Sequence, residues 1–202
     1  MVGYGMTEAT PLLAYIGYKD FVAGSCGKAV TCADVRIDSE DPEHIAGEIQ
    51  AKGDNICIGY YKNPEASANA FTDDGYLKTG DLGIIDKDGK IFIKGRSKSM
   101  ILSANGQNIY PEEVEAIIND QPYVAESVVV DRASKLVALV YFDQDAIKRD
   151  NLDAETVADL PERVRVNSNK KLPSYSQLTK VEVQETPFEK TPKMSIKRFL
   201  YK

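Results

Sequence analysis

The segment LGIIDKDGKIFI, residues 82–93, restricts this chain more than any other stretch. Two short apolar runs flank Asp88-Gly89, a pair suited to the positive φ angles of a tight hairpin turn. Such a hairpin commits its surroundings to antiparallel pairing. If Lys87 and Lys90 flank a two-residue type I′ turn, paired residue numbers sum to 177, so Ile84 faces Ile93 and Asp81 faces Arg96. Directly opposed side chains have Cβ atoms roughly 4.5 to 5.5 Å apart, so the acid and the base can act together. A cross-strand salt bridge is one reading, worth at most about 1 kcal/mol at an exposed site. The other is shared recognition of sugar hydroxyls, the carboxylate accepting and the guanidinium donating. Spacing leaves both open.

The same texture recurs in VRIDSED and GEIQAKGDNICIGYY, where short apolar runs alternate with Gly, Pro and Asp turns, and predicts an antiparallel sheet or barrel. Helices enter after residue 96. Pro111 suits a first helical turn, Glu112 and Glu113 suit the positive end of the helix dipole, and Val114, Ile117 and Ile118 form a stripe that ends before Pro122. VAESVVV and KLVALVYF read as strands joined by the turn DRAS. A second helical region is expected between Asp153 and Leu172, broken or restarted at Pro161, and TKVEVQE reads as a third strand. The expected fold is mixed α and β: an antiparallel β-rich, barrel-like piece over 1–95, then a small α+β domain over 96–202.

Composition excludes several functions. A 202-residue chain with 43% hydrophobic content can bury a sizeable core. A net charge of −6 argues against a nucleic-acid or anionic-membrane surface. The basic tail of Lys190, Lys193, Lys197 and Arg198 suits a solvated charged end, with contact to a phosphate-bearing ligand left open. Three cysteines without C-x-x-C spacing indicate neither a disulfide framework nor a zinc site, and fit a reducing, cytoplasmic setting. His44, the only histidine, excludes a multi-histidine metal site. No apolar run approaches the ~20 residues needed to span a bilayer, which leaves only peripheral membrane contact open.

Five motifs occur in one order: GYGMTEA (3–9), LKTGD (77–81), KGRSKSMI (94–101), NGQNIYPEEVE (105–115) and KTPKMSIKR (190–198). Together they resemble the adenylate-forming superfamily, most closely its acyl-CoA synthetases, including those for long-chain fatty acids. The resemblance implies ATP or AMP, Mg2+ and coenzyme A as ligands and a carboxylic acid as substrate. Tyr4 is similar to the aromatic that stacks on adenine, Thr7 to a hydroxyl contacting phosphate and Glu8 to a magnesium ligand. These residue types suit a flat base, a phosphate oxygen and a hard cation. Asp81, with Arg96 beside it, resembles the ligand of the ribose hydroxyls. Lys98 resembles the hinge about which the small domain swings between adenylating and thioester-forming arrangements. Gly106 resembles the residue whose missing side chain lets a pantetheine arm pass close to the backbone.

The tail departs from the family ending T-P-(S/T)-G-K-(I/V)-x-R. Aligning Thr191, Pro192, Ile196 and Arg198 puts Met194 at the glycine and Ser195 at the lysine that reaches carboxylate and phosphate during adenylation. A hydroxyl cannot replace an ammonium beside two anions, so either Lys193 or Lys197 takes over, with Lys193 favoured, or adenylation is slow. Nothing here resembles the family's Ser/Thr/Gly-rich phosphate loop or its acyl pocket. The resemblance therefore implies the C-terminal portion of a longer ligase, inactive alone. The alternatives are an adenylation domain that loads a carrier protein and a non-catalytic binding module.

Overall fold

The computed structural model describes residues 2–103, 105–192 and 194–201, and the chain divides into two compact units, Met1–Lys98 and Ser99–Lys202. In the first, strands β1 (Val2–Gly5), β2 (Leu12–Ile16), β3 (Gly27–Ala29), β4 (Ala33–Asp38) and β5 (Gly47–Gly53) precede a short helix α1 (Pro64–Ala70), and β6 (Leu77–Ile85) and β7 (Lys90–Arg96) follow. They form one seven-stranded antiparallel sheet in the order β1-β2-β3-β7-β6-β5-β4. Tyr4, Leu13, Ala14, Val35, Ile37, Ile49, Ala51 and Ile91 build its core. Sequence pattern alone misses α1, which Asn63 caps by accepting the N–H of Ala66 and Pro64 opens.

The sheet is curled but open. In a flat sheet, β1 and β6 would lie about 19 Å apart, four strand spacings, yet the Tyr4 hydroxyl reaches Asp81. Only strong curling brings them together. Among the described residues no ladder joins β1 to β4, so the barrel-like expectation reduces to curvature without closure.

The central hairpin differs from its expected register. Ile84 lies opposite Phe92, not Ile93. The Asp86 N–H donates to the Lys90 carbonyl at 2.9 Å and the Gly89 N–H to the Asp86 carbonyl at 2.8 Å, giving a three-residue loop with Gly89 at φ +80°. Asp86 Oδ1 selects this wider loop by accepting the N–H groups of Asp88 and Lys90 at 2.9 and 2.8 Å. An irregularity between Leu82 and Gly83 then restores the pairing of Asp81 with Arg96. Two one-residue offsets cancel. Because of that pairing Arg96 closes β7 inside the first unit and does not open the second.

The second unit contains β8 (Ile101–Leu102), β9 (Asn108–Ile109), α2 (Pro111–Asn119), β10 (Val124–Arg132), β11 (Lys135–Phe142), α3 (Gln144–Arg149), α4 (Ala154–Asn169) and β12 (Lys180–Val183). β10 pairs antiparallel and β12 parallel with β11. Leu136, Ala138 and Val140 of β11 join a core with Ile118, Leu160 and Val164, whereas Val137 and Leu139 pack with Phe188, Ile196 and Tyr201 of the tail. Burial on both faces explains why KLVALVYF runs apolar without alternation. Pro161 does not break α4, because Leu160, Val164 and Ser168 hold that helix along a buried face. Helix α3 is absent from the sequence reading and is set by Asp143, which accepts the N–H groups of Asp145 and Ala146. No described helix is long and apolar enough to cross a membrane.

Among the described residues one closing pattern recurs between residues 72 and 76, 86 and 90, 103 and 107, and 191 and 195. In each, a Thr, Asp or Ser side chain at the first position accepts the fifth N–H, and the fourth residue is left-handed. That fourth residue is Gly75, Gly89, Gly106 and, in the tail, Met194 at φ +62°. An L side chain there costs roughly 1–2 kcal/mol. The type I′ turn expected at Asp88-Gly89 occurs instead at Ala133-Ser134, with φ of 53° and 61°. Met194→Gly should therefore raise the unfolding free energy of the chain by about 1 kcal/mol, measured by urea titration. A fall on this substitution would show that the turn is not strained.

Candidate functional site

Three elements converge on Asp81. Gly80 at φ +73° kinks β6, and the Thr79 hydroxyl accepts the Asp81 N–H at 3.1 Å while donating to the Ile49 carbonyl at 2.7 Å. The carboxylate is 6% exposed. The Tyr4 hydroxyl donates to its Oδ2 at 2.8 Å, and Arg96 Nε lies 2.8 Å from Oδ1. The acid is thus buried and oriented, while the arginine side chain is 62% exposed. Tyr4 is 7% exposed within the core, and burial, reinforced by the nearby Asp81 charge, drives its phenol well above its ordinary range. It therefore remains a donor at any ordinary pH. Neither Tyr4's hydroxyl nor Thr79 was singled out from the sequence as a support for Asp81.

Thr7 and Glu8 stand on one 3-10 turn, Thr7–Ala9, with Thr7 exposed and Glu8 half-buried. Glu8 Oε1 accepts from the Tyr60 hydroxyl at 3.0 Å, a partner that sequence reading missed because it lies 52 residues away. A single carboxylate fits magnesium, which keeps several waters and takes phosphate oxygens as its remaining ligands. The described residues hold no cluster of three or more metal-ligating His, Cys, Asp or Glu side chains. Lys98 is exposed and is the last residue of the first unit. Gly106 sits at φ +76° in the β8–β9 turn, and a Cβ built there would meet nothing within 4 Å. Lys193 lies outside the described residues.

The described tail cations Lys190, Lys197 and Arg198 are each paired with a carboxylate. Lys197 Nζ lies 3.2 Å from Glu189 Oε2, Lys190 pairs with Glu126, and Arg198 forks onto Glu115, its Nη1 at 2.7 Å from Oε1. Glu115 is buried on α2, where its Oε1 also accepts the Val129 N–H at 2.6 Å. Burial pushes this carboxyl up to about 7, against the lowering pull of Arg198 and of the Val129 N–H. The tail around Ser195 is a closed turn and not extended, and Ser195 is exposed.

A curled antiparallel sheet carrying a buried carboxylate beside an arginine is followed along the chain by an α+β unit. Residues 98–201 match the family described as AMP-binding enzyme C-terminal domain, and residues 1–61 match AMP-binding enzyme. The chain belongs to the AMP-binding enzyme family. It is 35% identical over 147 residues to long-chain-fatty-acid–CoA ligase FadD15 of Mycobacterium bovis, covering 72% of this chain and 23% of that protein. It is 39% identical over 135 residues to indoleacetate–CoA ligase of Aromatoleum aromaticum, covering 64% and 26%. Among solved structures, O-succinylbenzoate coenzyme A synthetase MenE of Bacillus subtilis in complex with AMP superposes with a TM-score of 0.83 at 26% identity, covering 100% of this chain and 40% of that one. ATP-bound MatB of Rhodopseudomonas palustris gives 0.79 at 31% identity, covering 98% and 39%. The chain spans about a quarter of the length of these curated relatives.

Glu115 gives the second unit a pH signature. Its folded value of about 7 exceeds the ordinary 4.5, so between these values the folded state binds more protons than the unfolded chain. Its contribution is fully present below pH 4.5 and is lost as pH rises through about 7. The loss attributable to this group is on the order of 3 kcal/mol. In urea unfolding at pH 5, 6, 7 and 8, wild-type stability minus that of Glu115→Gln should therefore fall with rising pH. A flat or rising difference would mean that Arg198 keeps Glu115 ionised throughout.

Proposed function

We propose that this chain is the C-terminal part of an ATP-dependent acyl-CoA ligase. The substrate carboxylate attacks the α-phosphate of ATP and releases pyrophosphate, and the CoA thiol then attacks the acyl carbonyl and releases AMP. The observation that carries this reading is Asp81. Tyr4 and Arg96 hold each of its oxygens from one side, leaving acceptor capacity for ribose hydroxyls, and Arg96 stays open to donate. A salt bridge needing only charge would not require a buried, doubly oriented acid at the end of a curled sheet.

The other assignments rest on the family resemblance. Thr7 donates to phosphate, and Glu8, steadied by Tyr60, would hold the magnesium that neutralises phosphate charge when bound. Tyr4 is assigned to adenine by the family resemblance, although it is only 7% exposed and its hydroxyl is engaged by Asp81. We place the hinge at Lys98 and the pantetheine path over Gly106, around which the space is open. The acid is proposed to be fatty from the likeness to FadD15, with aryl acids as the comparison arm because a relative is named indoleacetate–CoA ligase. The setting is cytoplasmic, in keeping with three free cysteines. Loading of a carrier protein is the second reading, separated by supplying a pantetheinylated carrier domain in place of CoA.

In a ligase of the relatives' length that carries this chain, pyrophosphate release with ATP, magnesium and fatty or aryl acids tests the reading. Its absence across both acid classes would overturn it. The 202-residue chain alone should release none. Asp81→Ala should weaken ATP binding roughly ten- to hundredfold, the loss of a charge-assisted hydrogen bond worth about 1.5 to 3 kcal/mol. The suitable control is the exposed Asp73→Ala, because Asp86 holds a turn together. Equal effects of Asp81→Ala and Asp73→Ala would reduce Asp81 to a simple ion pair.

The Ser195 position supplies the last test. We propose that Lys193 provides the ammonium that this position lacks. Lys193→Ala should then slow adenylation at least tenfold, and Ser195→Lys should restore it in that background. An unchanged rate in Lys193→Ala, with a strong gain from Ser195→Lys alone, would instead identify a ligase weakened at this step.

A further inference from the structure

Residues 188–201 make fixed contacts on both sides of one turn. Phe188 is buried against Val128, Val130, Val137 and Leu139, and meets Tyr201 edge to face at 4.9 Å. The Glu189 N–H donates to the Tyr201 hydroxyl at 2.7 Å, closing the base of the hairpin. Lys190, just before the 191–195 turn, pairs with Glu126 of β10. Arg198, just after it, forks onto Glu115 of α2 and comes within 3.5 Å of Glu112. The Val129 N–H fixes Glu115 Oε1 from the strand beneath, so the carboxylate cannot rotate with the arginine. A short turn clamped on both sides to elements of one unit has a defined position.

We propose that Glu115 and Arg198 are a positioning pair that sets where the 191–195 turn is presented on the second unit, with Glu126 and Lys190 as the second clamp. The proposal rests on the ligase reading only for what the turn is used for. The mount itself belongs to this chain. Arginine is required because its planar fork takes both carboxylate oxygens at once, which a lysine ammonium on a flexible stem does not. The pairing of β10 with β11 and the helix-side core do not involve the tail, so loosening the clamp leaves them in place.

Hydrogen exchange of the 202-residue chain, read by mass spectrometry without ATP or CoA, tests this directly. Arg198→Ala should raise exchange across residues 189–201 at least tenfold, while β10 and β11 change less than twofold. Arg198→Lys should fall between Arg198→Ala and wild type in the tail alone. Glu115→Gln should also loosen the tail, and should add nothing to Arg198→Ala when the two are combined. Unchanged tail exchange in both single variants would overturn the proposal. So would an equal rise in tail and sheet, or additive effects in the double variant, since either marks general support and not positioning. Because no substrate is present, a failed ligase assay leaves this result standing, and a failed exchange test leaves the ligase reading standing.

Discussion

Burying the Asp81 carboxylate is the constraint around which the first unit is organised. An ionised acid taken out of water is costly unless donors replace the lost hydration. Here the donors come from two places in the chain, the Tyr4 hydroxyl from an edge strand and the Arg96 guanidinium from the opposing strand, while Thr79 fixes the backbone by accepting the Asp81 N–H. Meeting the first of these forces the sheet to curl. The second requires a bulge at Leu82 and Gly83 that reverses the shift introduced by the hairpin loop. The carboxylate is thereby held in one orientation.

The second unit solves a different problem. Its central strands are apolar on both faces, and helices cover only one. The tail covers the other with Phe188, Ile196 and Tyr201, which ties the chain's last residues to the sheet. Charge then fixes what apolar contact leaves free to slide. Three of the tail cations each find a carboxylate, so a segment that reads as a basic arm behaves as a clamped hairpin. Its turn carries the one non-glycine among four otherwise equivalent left-handed positions. That strain sits at the place where the family motif is also altered.

Short-range chemistry was legible in the sequence and long-range geometry was not. The helix at Pro111, the strands on either side of DRAS and the third strand near Val181 follow from periodicity, caps and turn residues, which act within a few positions, whereas Asp81 faces Arg96 as expected only because two one-residue offsets cancel. Family motifs single out Tyr4, Thr7, Glu8 and Gly106 for the roles proposed above. The same local rules misjudged the loop at Asp88-Gly89, because a side chain one turn earlier, Asp86, chose a wider closure. They also had Pro161 break or restart a helix that a buried stripe carries through.

What the sequence by itself determined is therefore the main strands and helices, though not α1 or α3, and the family to which they belong, since these are written in residue type and spacing. Only the tertiary structure decided that Tyr4 serves Asp81 through its hydroxyl, that Tyr60 holds Glu8, and that Glu115 on one helix holds Arg198 eighty-three residues later. These contacts join residues with no sequence relationship. They depend on sheet curvature and on which face of a strand the tail covers, and neither is encoded in any single stretch of the chain.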